Sequence, residues 1–360
     1  MTIEYSGGEI DLSSYGFTES FTFSGFDPGS SENFVMTFDN GSIVTGEETN
    51  DCPFCVDSGC GNYAVEIITE ADGLRNGPDY DNGIIYYPND AEGPLPAIVL
   101  IPGYMCDIDY IDSWGPYLAS HGIVTMFCEI NWAFNPFSSP ESRKTSLLDA
   151  LVTMREENER IDSPLFNNIY IDQIAVGGYS MGGGGAQLAA QEDLDVGAVI
   201  ALSAYLNNSD DAFNNIKPIL FMSSELDDVA ASDEHTNPFY FNTPDATDKL
   251  LFEMIGGSHS TVISPYNNPD LGPKVIYFIE KYSDDNSENC NFLIETPSLN
   301  SQFLTNIECQ ELGDISGDGI IDVIDVIMMV NILLNGEDYN PLADLNGDDV
   351  SSKLKILTSH

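Results

Sequence analysis

Short apolar runs alternate with longer stretches of helical spacing between residues 63 and 282. Runs typical of strands are residues 64–68, 83–87, 97–101, 123–128, 174–177, 198–202, 219–222 and 250–255. Stretches typical of helices lie between the later runs, at residues 112–120, 141–157, 181–191 and 272–281. This alternation predicts an α/β fold, in which helices cover both faces of a mainly parallel sheet. The first two runs have no helix between them, so we expect them to form an antiparallel pair.

The two ends of the chain differ in pattern from its middle. Residues 1–62 are polar and rich in Gly, Ser and aromatic residues, and short alternating runs predict a small β-rich extension of unknown role. Near the other end, an acidic stretch at 314–325 is echoed from residue 344, a period of 344 − 314 = 30 residues. We therefore divide the chain into 1–62, 63–310 and 311–360.

The charge balance narrows the choice of partners. Lys and Arg total 11 and Asp and Glu total 59, so the net charge is −48. A surface this negative repels phosphate and anionic headgroups, so we expect neither nucleic acid nor a membrane surface as a partner. No apolar run approaches the roughly 18 residues of a transmembrane helix. The opening MTIEYSGGEI lacks the basic and apolar parts of a signal peptide, so we expect a secreted protein whose export signal is absent from this numbering.

The chain has seven cysteines. Cys52, Cys55 and Cys60 cluster, but no fourth Cys or His lies nearby, so disulfides in an exported protein explain the cluster better than a zinc site does. Cys106 follows the run 97–101, and Cys128 ends the run 123–128. We predict that these two runs form neighbouring strands. A bridge between the two cysteines is therefore a hypothesis.

A candidate nucleophile lies in the motif Gly178-Tyr179-Ser180-Met181-Gly182. A strand-like run precedes this G-x-S-x-G element and a helical stretch follows it, which is the context of a nucleophile elbow. In such an elbow the serine occupies a sharp, strained turn, and glycines let strand and helix approach closely. The context predicts that Ser180 is a catalytic nucleophile.

A serine nucleophile needs a base, and the chain offers four histidines. His121 precedes Ser180, the wrong chain order for this arrangement, and His360 is the terminal residue. His235 has no strand immediately before it. His259 follows the last predicted strand in a loop, where the last member of such a triad belongs, so we assign it as the base.

The triad acid should lie on the loop that follows the run 219–222. Three acids compete there, Glu225, Asp227 and Asp228, and the physics of the sequence does not choose between them. Backbone amides form the oxyanion hole in this arrangement. One would come from Met181, directly after the nucleophile, and the second from Tyr104, in the loop after the run 97–101.

Together these residues resemble the polyester hydrolase family, the bacterial cutinases and poly(ethylene terephthalate) hydrolases of the α/β-hydrolase fold. The resemblance runs from about Tyr63 to Cys309. It is carried by Ile101-Pro-Gly-Tyr104, by WGPYLASHG at 114–122, by GYSMGGGG at 178–185 and by GGSHS at 256–260, in that order. The family's acid motif falls on Glu225-Leu-Asp227-Asp-Val229-Ala230, so the resemblance selects Asp227.

The resemblance also implies the surroundings of the site. The family usually has a tryptophan beside the scissile ester, and Tyr205 stands near that place here. Substrate contacts would come from Tyr104, Met181, Tyr205 and Val229. Ser224 and Thr261 occupy the positions of a cysteine pair that marks one subgroup. Cys290 and Cys309 match the usual C-terminal disulfide of the family.

The tail resembles a type I dockerin, a calcium-loop repeat related to the EF-hand. The ligand positions would be Asp314, Ser316, Asp318, the carbonyl of Ile320, Asp322 and Asp325, with Gly319 at the sharp turn. The resemblance implies Ca²⁺ in this first copy and a cohesin-like partner for the tail. The second copy departs from the pattern, because Asp349 replaces the glycine and Lys355 takes the last ligand position.

The leading hypothesis is a secreted serine hydrolase that cleaves polymeric or insoluble esters and requires no cofactor for catalysis. Within the same class, a lipase or small-ester carboxylesterase would use the same triad. From a different class, the chain could be a calcium-dependent docking or scaffold protein. An activated Ser180 separates the enzymes from the docking protein.

The net charge generates a prediction about salt. Crowded carboxylates repel one another in the folded state, and unfolding relieves that repulsion. Because the Debye length falls from about 30 Å at 0.01 M to about 3 Å at 1 M, we expect the melting temperature to rise over this range of NaCl. Calorimetry with calcium chelated measures this, and a flat or falling melting temperature contradicts the charge argument.

Overall fold

The computed structural model describes residues 60–132, 138–208, 216–284, 286, 289–309, 313, 315–316 and 322–335, and the backbone of four short strands before residue 48. The strands are β1 (Thr2–Tyr5), β2 (Gly8–Asp11), β3 (Asn33–Thr37), β4 (Ile43–Glu47), β5 (Val65–Thr69), β6 (Tyr80–Pro88), β7 (Ala97–Ile101), β8 (Val124–Ile130), β9 (Ile174–Tyr179), β10 (Val196–Leu202), β11 (Ile219–Ser224), β12 (Lys249–Met254) and β13 (Asn300–Thr305). The helices are α1 (Trp114–Ser120), α2 (Pro140–Glu159), α3 (Met181–Glu192), α4 (Thr236–Asn242), α5 (Leu271–Ser283), α6 (Cys290–Ile294) and α7 (Val323–Asn335).

Nine of these strands form one sheet in the order β13-β12-β11-β10-β9-β7-β8-β6-β5. The six strands from β12 to β8 in this order pair in parallel, while β5, β6 and β13 pair antiparallel. The central parallel strands are apolar on both faces, which suits a sheet that is covered on both sides. The predicted α/β architecture and the antiparallel opening pair are confirmed.

Two hydrophobic cores lie on opposite faces of the sheet. On one face α2 and α3 pack through side chains such as Leu147, Leu151 and Ala186. On the other face α1 and α5 pack through side chains such as Trp114 and Ile279. The helices that we predicted at 112–120, 141–157, 181–191 and 272–281 correspond to these four. Burial of both faces makes the sheet a rigid platform for the loops at its edges.

The parallel strands bring four loops to one edge of the sheet. Because β7, β9, β11 and β12 run in the same direction, the loops after them emerge side by side. These loops carry Tyr104, Ser180, Asp227 and His259, respectively. Residues that are up to 155 positions apart in the chain (259 − 104) therefore meet at one place.

One strand of the large sheet and two short helices were not predicted from the sequence. Strand β13 reads NSQFLT and is only partly buried, so it lacks the apolar run that identified the other strands. It lies at the edge of the sheet as far as the described strands go, with β12 as its one neighbour. The two helices are α4 and α6, of seven and five residues. In the extension, the alternating sequence at residues 34–38 predicts a strand and β3 corresponds to it; a second alternating sequence, at residues 20–23, lies outside the described residues.

Two cysteine predictions have opposite outcomes. Cys290 and Cys309 form a disulfide with their Cα atoms 5.6 Å apart. The hypothesised bridge between Cys106 and Cys128 is wrong, because both are free thiols. Cys128 belongs to the core that contains α2 and α3, whereas Cys106 packs against the core on the opposite face. Alternation along β8 thus points the Cys128 side chain away from Cys106.

The tail is described only in part. Helix α7 covers the apolar run after the acidic loop. The Asp325 carboxylate accepts backbone hydrogen bonds from Ser316 and from Asp322, both at 2.8 Å. Asp314, Asp318 and Ile320, three of the six predicted calcium ligands, lie outside the described residues, as does the second copy of the repeat. In the described parts of the chain, no helix is both long and apolar enough to cross a bilayer.

Candidate active site

Ser180 stands at a sharp turn between β9 and α3. Its backbone has φ 55° and ψ −119°, a region that non-glycine residues rarely adopt and that costs about 1–3 kcal/mol. Neighbouring strands hold this turn, because the Ser180 amide donates to the Leu202 carbonyl at 2.8 Å and the Ser180 carbonyl accepts from Tyr205 at 2.9 Å. A side chain at Gly182 would collide with the Ile101 carbonyl oxygen, so only glycine lets α3 start this close to β7.

A chain of hydrogen bonds connects three side chains at this edge. His259 Nε2 lies 3.0 Å from Ser180 Oγ, and His259 Nδ1 lies 2.7 Å from Asp227 Oδ2. Asp227 is buried and its other carboxylate oxygen accepts the backbone amides of Val229 and Ala230, at 2.9 and 2.8 Å. Burial raises the pKa of the Asp227 carboxyl, but the bonds from His259 and the two amides outweigh it and hold that pKa below its usual value.

The structure distinguishes the three acids that the sequence left open. Only Asp227 contacts His259. The Glu225 carboxylate accepts the Gly256 amide at 2.8 Å, which fastens the acid loop to the end of β12. Asp228 is exposed to solvent. The amide of Leu226 donates to the Gly257 carbonyl at 2.8 Å, so the loops that carry acid and histidine are joined directly.

The other described histidines have different surroundings. The Nδ1 atom of His121 lies 2.8 Å from the Tyr117 carbonyl oxygen, and burial lowers the pKa of the His121 ring. The His235 ring packs on Tyr205, with ring centroids 4.7 Å apart. Its buried Nδ1 has no hydrogen-bond partner among the described residues, and burial lowers its pKa. Neither ring reaches Ser180, and His360 lies outside the described residues.

The two predicted oxyanion donors flank Ser180. Met181 is the first residue of α3, so its amide has no partner inside the helix. Tyr104 is in the turn after β7, and a Cβ built on the preceding Gly103 would lie 3.0 Å from the Ser180 Cβ. No described residue accepts a hydrogen bond from either amide. Among the described residues both amides thus lack an acceptor, as donors to an oxyanion must before substrate binds.

The four side chains that we predicted to contact substrate differ in exposure. Tyr104 and Val229 are 55% and 56% exposed, while Tyr205 and Met181 are partly buried. Tyr179 was not singled out from the sequence, but its ring lies 5.0 Å from the His259 ring and 5.6 Å from that of Tyr110. The sequence signal that could have identified Tyr179 is its position directly before Ser180, as the first variable residue of the G-x-S-x-G motif.

Ser224 and Thr261 stand close together beside the site. A Cβ on Gly257 would lie 2.9 Å from Ser224 Oγ and 3.0 Å from Thr261 Oγ1, so one glycine separates the two hydroxyls. The described residues contain no group of three or more His, Cys, Asp or Glu side chains that could hold a metal ion.

Comparison with known proteins assigns a family to this geometry. The model of the PET hydrolase-like family matches residues 54–310. The chain belongs to this family. Over 234 residues it is 32% identical to "Cutinase est2" of Thermobifida alba, which covers 64% of the chain and 74% of the cutinase.

Two further relatives carry the names of other ester hydrolases. The chain is 30% identical over 224 residues to "Bis(hydroxyethyl) terephthalate hydrolase" of Streptomyces coelicolor, covering 61% of the chain and 67% of that enzyme. It is also 30% identical over 235 residues to "Lipase 1" of Moraxella sp., covering 64% of the chain and 70% of the lipase. The α/β-hydrolase fold follows from this family, and the chain is a carboxylic ester hydrolase.

The contacts of the two adjacent aspartates generate a prediction. Asp227→Asn removes the acceptor that orients His259 and stabilises its charged form, so we expect kcat to fall on the order of 10³-fold or more. Asp228→Asn alters an exposed group and should stay within about 3-fold of the unmodified chain. Hydrolysis of p-nitrophenyl butyrate measures both, and equal losses would show that Asp227 is not the acid.

Proposed function

We propose that this chain is a secreted serine hydrolase that cleaves polyesters through an acyl-enzyme intermediate. The observation that carries the proposal is the continuous hydrogen-bonded chain from Ser180 Oγ through His259 to the buried Asp227. A nucleophile, its base and the group that orients the base are each within hydrogen-bond reach of the next, which acyl transfer requires. The family supports the ester as the reacting bond.

The reaction proceeds in two halves. Ser180 Oγ attacks the ester carbonyl carbon while His259 Nε2 takes the serine proton, and the carbonyl oxygen becomes an oxyanion. The amides of Tyr104 and Met181 donate hydrogen bonds to it. When the tetrahedral intermediate collapses, the alcohol leaves with the proton from His259. Water then attacks the acyl-enzyme with His259 as base, and the carboxylic acid departs from Ser180.

The buried Asp227 carboxylate has two tasks in this scheme. Its bond to Nδ1 fixes the His259 tautomer, so that Nε2 faces the serine without its proton before attack. Its negative charge then stabilises the imidazolium that forms during attack. The Val229 and Ala230 amides keep the carboxylate in this orientation. Because these bonds hold its pKa low, the carboxylate stays ionised throughout the cycle.

A polymeric substrate is favoured by the surface around the serine. Tyr104 and Val229 border the site and are more than half exposed, so an extended chain can lie across them. The relatives of the chain include a cutinase and a bis(hydroxyethyl) terephthalate hydrolase. The alternative within the class is a lipase or small-ester carboxylesterase, which the similarity to "Lipase 1" supports.

The tail adds a second proposed function. We propose that the loop 314–325 binds Ca²⁺ and that the tail docks to a cohesin-like partner, which would attach the enzyme to a scaffold. Four carboxylates at loop positions 1, 5, 9 and 12 have the hard-oxygen chemistry that Ca²⁺ prefers. The bonds from Ser316 and Asp322 to Asp325 bring the loop ends together, which is compatible with a closed ion site.

The substrate class can be tested on solid polymers. We expect the unmodified chain to release soluble acids from polyester films and to hydrolyse p-nitrophenyl butyrate, and Ser180→Ala to lose both by on the order of 10³-fold or more. The Ser180→Ala variant should keep its melting temperature, which controls for folding. Hydrolysis of the small ester without release from any film would replace the polyester proposal with the small-ester alternative. Full activity in Ser180→Ala would refute both.

Calcium should stabilise the chain by mass action. A ligand that binds only the folded state adds about 2.7 kcal/mol when its concentration is 100 times its Kd. We therefore expect a higher melting temperature in calcium than in EGTA. Deleting residues 311–360 should abolish this difference and leave most of the response to NaCl. An unchanged calcium response in the shortened chain would place the ion elsewhere.

A further inference from the structure

Arg143 is a buried cation with an unusual set of partners. It is only 1% exposed and lies in the first turns of α2. No carboxylate of the described residues lies within ion-pair distance of it, although the chain has 59 acidic residues against 11 basic ones. Burial lowers the pKa of this guanidinium to about 10. The positive end of the α2 dipole also faces it, so neither solvation nor charge pairing explains its position.

The partners of Arg143 are neutral oxygens on two segments. Just before the start of α2, the Arg143 Nη1 atom donates to Ser138 Oγ at 2.7 Å and to the Ser139 carbonyl at 3.2 Å. On the loop after β7, Nε donates to the Pro102 carbonyl at 2.9 Å and Nη2 donates to the Gly103 carbonyl. The rigid fork of arginine thus holds two successive carbonyls of one loop.

The second of these carbonyls belongs to the peptide unit that carries a proposed oxyanion donor. The Gly103 carbonyl and the Tyr104 amide share one planar trans peptide, so they point in opposite directions. When Arg143 fixes the carbonyl on the buried side, the Tyr104 N–H must face the other side. Gly103 is also in close contact with the serine, because its built Cβ would lie 3.0 Å from the Ser180 Cβ.

Arg143 also contacts the element that carries the other donor. A Cβ built on Gly185 of α3 would lie 2.6 Å from the Arg143 Cβ, so α3 packs directly on the arginine stem. Helix α3 begins with Met181. One side chain therefore contacts both segments that supply the oxyanion amides. A charged donor on a carbonyl also polarises the whole peptide, which strengthens the hydrogen bond that its amide can give.

We propose that Arg143 is a positioning residue that holds the Gly103–Tyr104 peptide in the orientation that presents the Tyr104 amide to the oxyanion. It does not touch the substrate and acts through the Gly103 carbonyl. The proposal depends on the proposed function of the Ser180 site. It predicts that the oxyanion hole is formed before substrate binds, so that removal of the guanidinium impairs the transition state more than substrate binding.

The test compares Arg143→Lys with Arg75→Lys as a matched control. Lysine keeps the charge but cannot hold two carbonyls in a fixed fork. Arg75 also bonds to α2, through the Asp149 and Thr153 side chains, but it does not contact the loop after β7. We expect kcat of Arg143→Lys on p-nitrophenyl butyrate to fall about 100-fold with KM within about 2-fold, and Arg75→Lys to keep both constants.

A thionoester analogue separates positioning from general structural damage. In the thionoester, sulfur replaces the carbonyl oxygen and bonds less well to the oxyanion amides, so the ratio of oxoester to thionoester rates reports on the hole. We expect Arg143→Lys to lower this ratio at least about 10-fold, because the oxoester loses more than the thionoester. General structural damage would instead reduce both rates equally and leave the ratio unchanged.

Separate controls test whether the variants fold and whether the proposed function of the Ser180 site holds. Arg143→Gln serves as a second variant, and rates are normalised to the folded fraction measured by near-ultraviolet circular dichroism. A lowered ratio in either folded variant supports the positioning role, and an unchanged ratio in both refutes it. If the unmodified chain shows no hydrolysis that depends on Ser180, the proposed function fails before the Arg143 comparison is made.

Discussion

The strained backbone of Ser180 is the constraint on which the rest of the site depends. A positive φ at a serine persists only where its surroundings determine it, and here the Leu202 carbonyl and the Tyr205 amide hold the turn from the neighbouring strand. The turn raises Oγ above the sheet edge, where His259 meets it at 3.0 Å. Without side chains at Gly182 and Gly185, α3 can pack against β7 and α2 and support the turn from below.

The scarcity of cations gives those that are buried particular weight. Among the described residues, the cations Arg143, Lys249 and Lys274 are at most 4% exposed. Lys274 donates to the carbonyls of Phe292, Leu293 and Glu295, and so anchors the end of α6 beside the disulfide. Arg143 similarly anchors the loop before Tyr104. Arg143 and Lys274 thus organise backbone carbonyls inside the fold, whereas Lys249 donates both to the Thr243 carbonyl and to the carboxylate of the exposed Asp245.

Much of the fold and the site could be predicted from the sequence, for identifiable physical reasons. Central strands such as β7 and β11 are buried on both faces and appear as apolar runs, whereas the edge strand β13 is half polar and gave no such signal. Chain order and loop position identified His259 from the sequence. They could not choose between Asp227 and Asp228, because adjacent aspartates differ only in the direction in which their side chains point. The Cys106–Cys128 hypothesis failed for the same reason, because neighbouring strand ends do not imply a common face.

The central claim is that His259 activates Ser180 for covalent attack. The most direct measurement is stoichiometric labelling with a fluorophosphonate, followed by peptide mapping of the modified residue. The account predicts one label per chain, on Ser180, and at least about 10³-fold slower labelling in His259→Ala than in His235→Ala. A label on another residue, or equal labelling rates in the two histidine variants, would contradict it.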